Sequence, residues 1–200
     1  MAVNATIGRA VFLDKDGTLI EDVPYNVDPV RLRLMPGAIE GLRALQAAGF
    51  RLIVVTNQSG VARRYFTEPE LAVAHAALDE LLLAAGVTLD GFYYCPHLPA
   101  PELFAWENPC ACRKPSPGLL EAAAADRNLG LTRSWLIGDI ADDIEAGRRA
   151  GCRTVLVAGC PDDDTTAHFV ARNLAEAAAI IIRESRSDMA ATTVKIGDCA

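Results

Sequence analysis

The sequence is short of basic residues and contains no long apolar run. Nineteen Lys and Arg residues stand against 26 Asp and Glu residues, which gives a formal net charge of −7. Because this sign opposes binding to a phosphate backbone, we expect no nucleic-acid partner. No apolar stretch approaches the roughly 18 to 20 residues that a membrane-spanning helix needs, so we expect no membrane partner either.

A secretory signal pattern is also lacking, since no basic segment near the N-terminus leads into an apolar run and a small-residue cleavage site. We therefore expect the six cysteines to lie in a reducing compartment, the cytoplasm, rather than in a disulfide framework. A length of 200 residues suits one domain with one core. We expect that domain over residues 1–186, a loose C-terminal tail over 187–200, and a monomer.

Strand and helix patterns alternate along the chain. Short apolar runs predict strands at 9–14, 51–56, 91–95, 134–138 and 153–157, with a short strand near Phe169. Helical spacing and end signals predict helices between 36 and 49, 67 and 86, 116 and 130, 142 and 150, and 174 and 186. This order predicts an α/β fold with a mainly parallel sheet and helices on both faces. Ligands bind such folds beyond the carboxyl ends of the strands.

Two carboxylates follow the first predicted strand, in the run Asp14-Lys15-Asp16-Gly17-Thr18. Because side chains alternate along a strand, Asp14 and Asp16 are predicted to lie on one side where the strand ends. Such a pair can hold a hard divalent cation, or one carboxylate can attack phosphorus while the other transfers a proton. A solvated Asp-Gly turn is the alternative, and it is the commoner case for an isolated Asp-Gly pair.

Three further segments carry residues that suit a phosphoryl group. The run Thr56-Asn57-Gln58-Ser59-Gly60 offers hydroxyl, amide and main-chain donors. The pair Arg113-Lys114 precedes a predicted helix and can neutralise phosphoryl charge. Asp139, followed by Asp142 and Asp143, forms a carboxylate cluster suited to Mg²⁺. Taken singly, these segments are a polar turn, surface basic residues and acids at a helix N-terminus.

Because these segments occur in order, each after a strand or before a helix, the sequence resembles the haloacid dehalogenase superfamily of aspartate-nucleophile phosphatases. The resemblance covers about residues 8 to 185 and implies a three-layer Rossmann-like fold. The segment between Asp14 and Thr56 already holds a predicted crossover helix. It leaves no room for the bulky cap domain of many relatives, so we expect a capless fold.

The same resemblance implies roles for individual residues. Asp14 is the implied nucleophile, which forms an aspartyl phosphate, and Asp16 is the implied general acid and base. Thr56 and Lys114 are implied to hold the transferring phosphoryl group. The implied Mg²⁺ ligands are Asp14, the main-chain carbonyl of Asp16 and the side chain of Asp139, with Asp143 orienting this set.

A second group of potential metal ligands lies between the third strand and the following helix. Cys95, His97, Cys110 and Cys112 are three thiols and an imidazole in two pairs, the ligand set of a closed tetrahedral Zn²⁺ site. Such a structural zinc would anchor the intervening loop. The alternative is a set of buried structural cysteines without a metal.

Within the superfamily, the sequence is similar to the D-glycero-D-manno-heptose 1,7-bisphosphate 7-phosphatases and the related histidinol phosphatases. The similarity lies in residues 12–18, 55–63, 93–97 and 110–115. It implies an Mg²⁺-dependent phosphatase with a structural Zn²⁺ that removes the C7 phosphate of a small sugar bisphosphate. Substrate-binding residues are expected at Asp22, Tyr25, Thr56, Asn57, Gln58, Ser59, Arg113 and Lys114. Histidinol phosphate hydrolysis is the alternative reaction, and a catalytically silent, zinc-stabilised sugar-phosphate-binding domain is a further alternative.

Overall fold

Six parallel strands form one sheet in the order β3-β2-β1-β4-β5-β6. The structure is a computed structural model that describes residues 7–99, 102, 110–158 and 166–196, with side chains described up to Ser187. The strands are β1 (Ala10–Leu13), β2 (Arg51–Asn57), β3 (Gly91–Cys95), β4 (Trp135–Gly138), β5 (Arg153–Val157) and β6 (Phe169–Ala171). The helices are α1 (Ala38–Ala47), α2 (Glu68–Ala84), α3 (Gly118–Arg127), α4 (Ala141–Arg149) and α5 (Leu174–Ile196).

The sheet is buried on both faces, as the continuous apolar strands predict. Along β1, Val11 and Leu13 join a core cluster with residues of α1, α2 and α5, whereas Ala10 and Phe12 join a second cluster with residues of α3 and α4. Successive side chains of one strand therefore supply both cores. This arrangement confirms the predicted α/β fold with helices on both faces.

The strand order changes direction at β1. The chain runs from β1 to β2 and β3 on one side of the sheet, and β4 then pairs with β1 on the other side. Leu13 at the end of β1 lies level with Val54 of β2 and Ile137 of β4. The residues after β1 and β4 thus meet at a topological switch point, where ligands of such folds bind.

The connection between β1 and α1 is small. Residues 14–37 contain a single short 3-10 helix, Pro29–Arg31, and two isolated bridges that join Asp16 to Ile20 and Ile20 to Leu34. No cap domain is inserted at this point, which confirms the capless prediction.

The C-terminal helix differs from the prediction. We expected it to end near Arg186 and to be followed by a loose tail, but α5 continues to Ile196. The apolar period on which the prediction relied ends near Arg186. Helical hydrogen bonding nevertheless continues through Met189, Ala190 and Ala191, which are good helix formers. Among the described helices, none is long and apolar enough to cross a lipid bilayer.

Candidate active site

A cavity of about 310 Å³ opens at the carboxyl ends of the strands. Its lining combines the predicted segments after β1, β2 and β4 with Lys114. The lining residues are Asp14, Asp16, Asp22, Pro24, Tyr25, Asn26, Thr56, Asn57, Gln58, Ser59, Gly60, Lys114, Asp139 and Ile140. Nearly all site residues predicted outside the cysteine cluster therefore face one space. Asp143, fully buried and paired with the lining residue Lys114, does not itself line the cavity, and neither does Arg113.

Lys114 is the central cation of the site. Its side chain is 2% exposed, and its ammonium group forms ion pairs with Asp14 Oδ1 and, at 2.6 Å, with Asp143 Oδ1. It also donates to the main-chain carbonyl of Val55 at 3.0 Å. The pKa of Asp14 is raised to about 7, mainly by burial; Lys114 opposes this rise, and the carboxylates of Asp143 and Asp139 add to it. One ammonium group therefore only partly neutralises these carboxylates.

Asp14, Asp139 and Asp143 place carboxylate oxygens within 4.8 Å of one another. Hard cations such as Mg²⁺ prefer oxygen ligands of this kind. Burial and the Asp143 carboxylate raise the pKa of Asp139 too. The three carboxylates together therefore carry more negative charge than Lys114 can neutralise. Both the donor atoms and the charge deficit fit a divalent cation.

Close packing around Asp139 fixes its carboxylate. Thr18 Oγ1 donates to Asp139 Oδ1 at 3.1 Å. Gly17 has a φ of 85°, and a Cβ atom at that position would lie 2.2 Å from Asp139 Oδ2. Glycine is required at residue 17 both for its backbone conformation and for the space that Asp139 occupies.

The two oxygens of Asp16 have different partners. Lys15 Nζ donates to Asp16 Oδ1 at 2.6 Å, and Gln58 Nε2 donates to Asp16 Oδ2 at 3.0 Å. The Gln58 amide also donates to Thr56 Oγ1 at 3.0 Å. The Asp16 carboxylate, although adjacent to the open pocket, is therefore fixed from two sides.

Asn57 joins the end of β2 to the segment that carries Lys114. Its amide group donates to the Lys114 carbonyl at 3.2 Å, and its Oδ1 accepts from the Lys114 main-chain N–H at 3.1 Å. The side chain that we expected at the substrate thus holds the Lys114 backbone while it lines the pocket.

Tyr25 lines the pocket, whereas its neighbour Tyr65 and the arginines Arg63 and Arg113 are not among the lining residues. The rings of Tyr25 and Tyr65 meet edge to face with centroids 4.7 Å apart, and Tyr25 has a positive φ of 56°. Arg63 pairs with Glu102. Arg113 Nη1 donates to the main-chain carbonyl of His97 at 3.2 Å, which directs it toward the cysteine cluster.

The cysteine cluster brings together all four predicted ligands. Cys95 Sγ lies 3.5 Å from both His97 Nδ1 and Cys110 Sγ, and Cys112 Sγ lies 3.3 Å from His97 Nδ1. All four ligand atoms lie within 4.8 Å of one another, and the three cysteines are free thiols. Tetrahedral Zn–S bonds of about 2.3 Å would separate the ligand atoms by about 3.8 Å, so the cluster fits Zn²⁺. Most of the loop that the zinc was expected to anchor lies outside the described residues.

Known proteins match this chain over most of its length. Residues 111–177 match the family model described as "HAD-hyrolase-like". The D-glycero-beta-D-manno-heptose-1,7-bisphosphate 7-phosphatase of Yersinia pestis is 36% identical over 172 residues, 84% of this chain and 92% of that protein. The enzyme of the same name from Pasteurella multocida is 39% identical over 173 residues, again 84% of this chain and 94% of that one. The chain belongs to the haloacid dehalogenase-like heptose bisphosphate phosphatase family.

Solved structures give the same result for the fold of this phosphatase. The D,D-heptose 1,7-bisphosphate phosphatase of B. bronchiseptica, complexed with magnesium and phosphate, has a TM-score of 0.74 at 29% identity, covering 88% of this chain and 99% of that one. A putative HAD-like phosphatase from Mesorhizobium loti has a TM-score of 0.73 at 31% identity, covering 88% and 87%. The family resemblance drawn from the sequence is thereby confirmed.

Sequence reasoning missed two side chains of the phosphatase site. It gave no role to Lys15, because strand alternation places this residue opposite Asp14 and Asp16. It also gave none to Thr18, whose hydroxyl binds Asp139. Counted as whole residues, Lys15 is 5% exposed and Thr18 is 1% exposed. A charged side chain next to a paired-aspartate motif was the available signal for Lys15.

Proposed function

We propose that this phosphatase hydrolyses the C7 phosphate of D-glycero-D-manno-heptose 1,7-bisphosphate through an aspartyl-phosphate intermediate. One observation above all supports this proposal. A nucleophilic carboxylate, a buried ammonium group and a second carboxylate face a single pocket at the switch point, as phosphoryl transfer from a small substrate requires. Relatives that bear this activity in their names cover most of the chain.

In the proposed first step, an oxygen of Asp14 attacks phosphorus, and the bond between phosphorus and the sugar C7 oxygen breaks. Asp16 protonates the departing alkoxide. In the second step, Asp16 takes a proton from a water molecule, which attacks phosphorus and releases phosphate from Asp14. Lys114 and the hydroxyl of Thr56 hold the equatorial phosphoryl oxygens during both steps.

Mg²⁺ is the proposed cofactor, since the carboxylate cluster fits a hard divalent cation. Asp14, the main-chain carbonyl of Asp16 and Asp139 would hold it, and Asp143 would orient them through Lys114. When bound, the ion supplies positive charge that offsets repulsion between the carboxylates and the phosphoryl group. We propose a structural Zn²⁺ on Cys95, His97, Cys110 and Cys112.

The rest of the substrate is proposed to lie toward the pocket mouth. Asp22, Tyr25 and the main chain of Ser59 would contact the sugar. Arg113, which donates to the His97 carbonyl outside the pocket lining, would turn toward the pocket to bind the distal phosphate, since guanidinium groups recognise phosphate well. An open pocket without a cap accommodates a bisphosphorylated sugar. We further propose that the enzyme acts as a monomer in the cytoplasm, without a nucleic-acid or membrane partner.

The decisive experiment compares steady-state hydrolysis of both anomers of the heptose bisphosphate with that of histidinol phosphate, each with and without Mg²⁺. We expect phosphate release from the heptose bisphosphate only when Mg²⁺ is present, with a kcat/KM well above that for histidinol phosphate. The opposite preference would contradict the proposed substrate and favour the histidinol reaction.

A variant pair tests the nucleophile. Asp14→Asn removes the attacking oxygen, so we expect loss of turnover and of phosphoprotein in acid-quenched samples, while circular dichroism shows a folded chain. Asp142→Asn is the matched control, because Asp142 is an exposed acid next to the cluster that contributes no ligand atom to it. Turnover by Asp14→Asn at the parent rate would remove Asp14 from the mechanism.

A further inference from the structure

We propose that Lys15 and Gln58 are positioning residues that together hold the Asp16 carboxylate in the orientation needed for proton transfer to the leaving oxygen. This inference rests on the proposed function, in which Asp16 is the general acid. It gives a role to Lys15, for which neither motif spacing nor the pocket lining suggests one.

Lys15 forms a shielded contact with one oxygen of Asp16. Its side chain is 7% exposed, and its ammonium group lies 2.6 Å from Asp16 Oδ1. Its carbonyl oxygen accepts from the main-chain N–H groups of Leu19 and Ile20 at 2.9 Å each, so the turn after β1 fixes the Lys15 backbone. Charge-assisted bonds of this length are the strong ones, and poor access of water preserves them.

Gln58 holds the other oxygen through an amide whose two hydrogens are both used. One hydrogen bond goes to Asp16 Oδ2 and the other to Thr56 Oγ1, each at 3.0 Å. The Gln58 side chain is buried, and its main-chain N–H donates to the Cys95 carbonyl at 2.7 Å. Gln58 thereby connects the acid, the phosphoryl-binding hydroxyl and the end of β3.

Both contacts restrict the same rotation. A short carboxylate beside an open pocket can turn about its χ torsions, and general acid catalysis requires it within hydrogen-bond reach of the leaving oxygen. With one oxygen bound on each side, the carboxylate plane is fixed before substrate arrives. Removing a side chain that holds the carboxylate in this orientation should therefore lower the rate of proton transfer strongly.

Leaving-group dependence provides the test. A sugar alkoxide needs a proton in the transition state, whereas p-nitrophenolate leaves without one. Formation of the aspartyl phosphate, which sets kcat/KM, therefore depends on the placement of Asp16 only for the sugar substrate. We expect Lys15→Met and Gln58→Leu each to lower kcat/KM for the heptose bisphosphate about 10- to 100-fold, within the rate contribution of a positioned acid. The kcat/KM for p-nitrophenyl phosphate should fall severalfold less, and KM for the sugar should change little.

Three further variants sharpen the result. Lys15→Arg keeps a cation at the same place and should recover most of the lost rate. The Lys15→Met/Gln58→Leu double variant should lose less than the sum of the single losses in free energy, because both side chains act on one carboxylate. Ser134→Ala is the structural control: it removes hydrogen bonds to Ala10 and Gly130 far from the pocket and should leave the ratio of the two kcat/KM values unchanged.

The outcomes separate this inference from the proposed function. Equal losses on both substrates, or parent-like rates for Lys15→Met, would overturn the positioning role while Asp16→Asn still abolishes sugar turnover. An inactive parent chain, or an Asp16→Asn variant with full activity, would overturn the proposed function and this inference with it.

Discussion

Lys114 illustrates how a single side chain can serve both stability and chemistry. Burial disfavours its charged form, but the carboxylates of Asp14 and Asp143 outweigh that effect and raise the pKa of Lys114 above its ordinary value. The ammonium group is therefore charged in the folded protein. Because the charges of all three residues are buried, each is tolerated only in the presence of the others.

Replacing Lys114 with Met should destabilise the protein as well as inactivate it. The change leaves two buried carboxylates without their cation, and breaking a buried pair from one side costs about 3 to 5 kcal/mol. We expect a loss of that size in the free energy of unfolding, measured by urea titration without added Mg²⁺. The second change Asp143→Asn should recover part of this loss, and parent-like stability of Lys114→Met would contradict the argument.

At the level of single residues, the sequence predicted which side chains the strand ends bring into one pocket, but it did not predict contacts that depend on local geometry. The aspartates, Thr56 and Lys114 follow strands or precede a helix, and parallel strands bring those ends together. The contact between Lys15 and Asp16 depends on how the chain turns after β1, which alternation does not encode. The same holds for Asn57, whose amide pairs with the Lys114 backbone.

At the level of elements, the contact between α1 and α5 depends on the absence of a side chain. Gly41 lies within α1, where glycine disfavours the helix by roughly 1 kcal/mol relative to alanine. A Cβ atom at this position would lie 2.4 Å from the Leu174 carbonyl oxygen. The two helices therefore approach closely at Gly41. The neighbouring atom in α5 belongs to the backbone, so it cannot make room for a Cβ atom by a side-chain rotation.

Gly41→Ala should lower stability in spite of its better helix propensity. The added methyl group must push α5 outward, and overpacking of this kind costs about 1 to 3 kcal/mol. Thermal unfolding followed by circular dichroism measures the effect. Glu40→Ala is the control, since residue 40 is exposed on the same helix and should change the midpoint little. A midpoint for Gly41→Ala above that of the parent would show that the helices can separate at no cost.

Element positions followed from the sequence more closely than element ends. The predicted strands at 91–95 and 153–157 coincide with β3 and β5, because turn residues bound their apolar runs. The helix predicted between 67 and 86 is α2, and a capping box formed by Thr67 and Glu70 begins it. The end of α5 was misplaced because the prediction relied on a hydrophobic period that ends near Arg186, whereas the helix continues to Ile196.

At the level of the whole molecule, the cysteine cluster is connected to the active-site pocket through the backbone. Cys95 ends β3, and its carbonyl oxygen accepts from the main-chain N–H of Gln58. Cys112 precedes Arg113 and Lys114 directly in the chain. The arrangement of the cysteine cluster therefore affects the positions of two residues that line the pocket, Gln58 and Lys114.

Loss of the proposed zinc should consequently lower activity. We expect about one zinc atom per purified chain by elemental analysis, and Cys110→Ser should abolish zinc binding, lower the thermal midpoint and reduce kcat/KM together. Cys152→Ala is the matched control, because Cys152 is a free buried cysteine outside the cluster. It should retain zinc. A zinc-free parent enzyme with full activity would contradict the assignment.

The sequence separation of the site residues has a consequence for how the protein matures. Lys114 pairs with Asp14 across 100 positions, and Thr18 bonds Asp139 across 121. Such distant contacts form late, because closing long loops costs entropy before the contacts can repay it. A partly folded chain thus contains every site residue but has not yet brought them into one pocket. Recovery of phosphate release during refolding should accordingly lag behind recovery of helical signal and coincide with the final closure of the sheet.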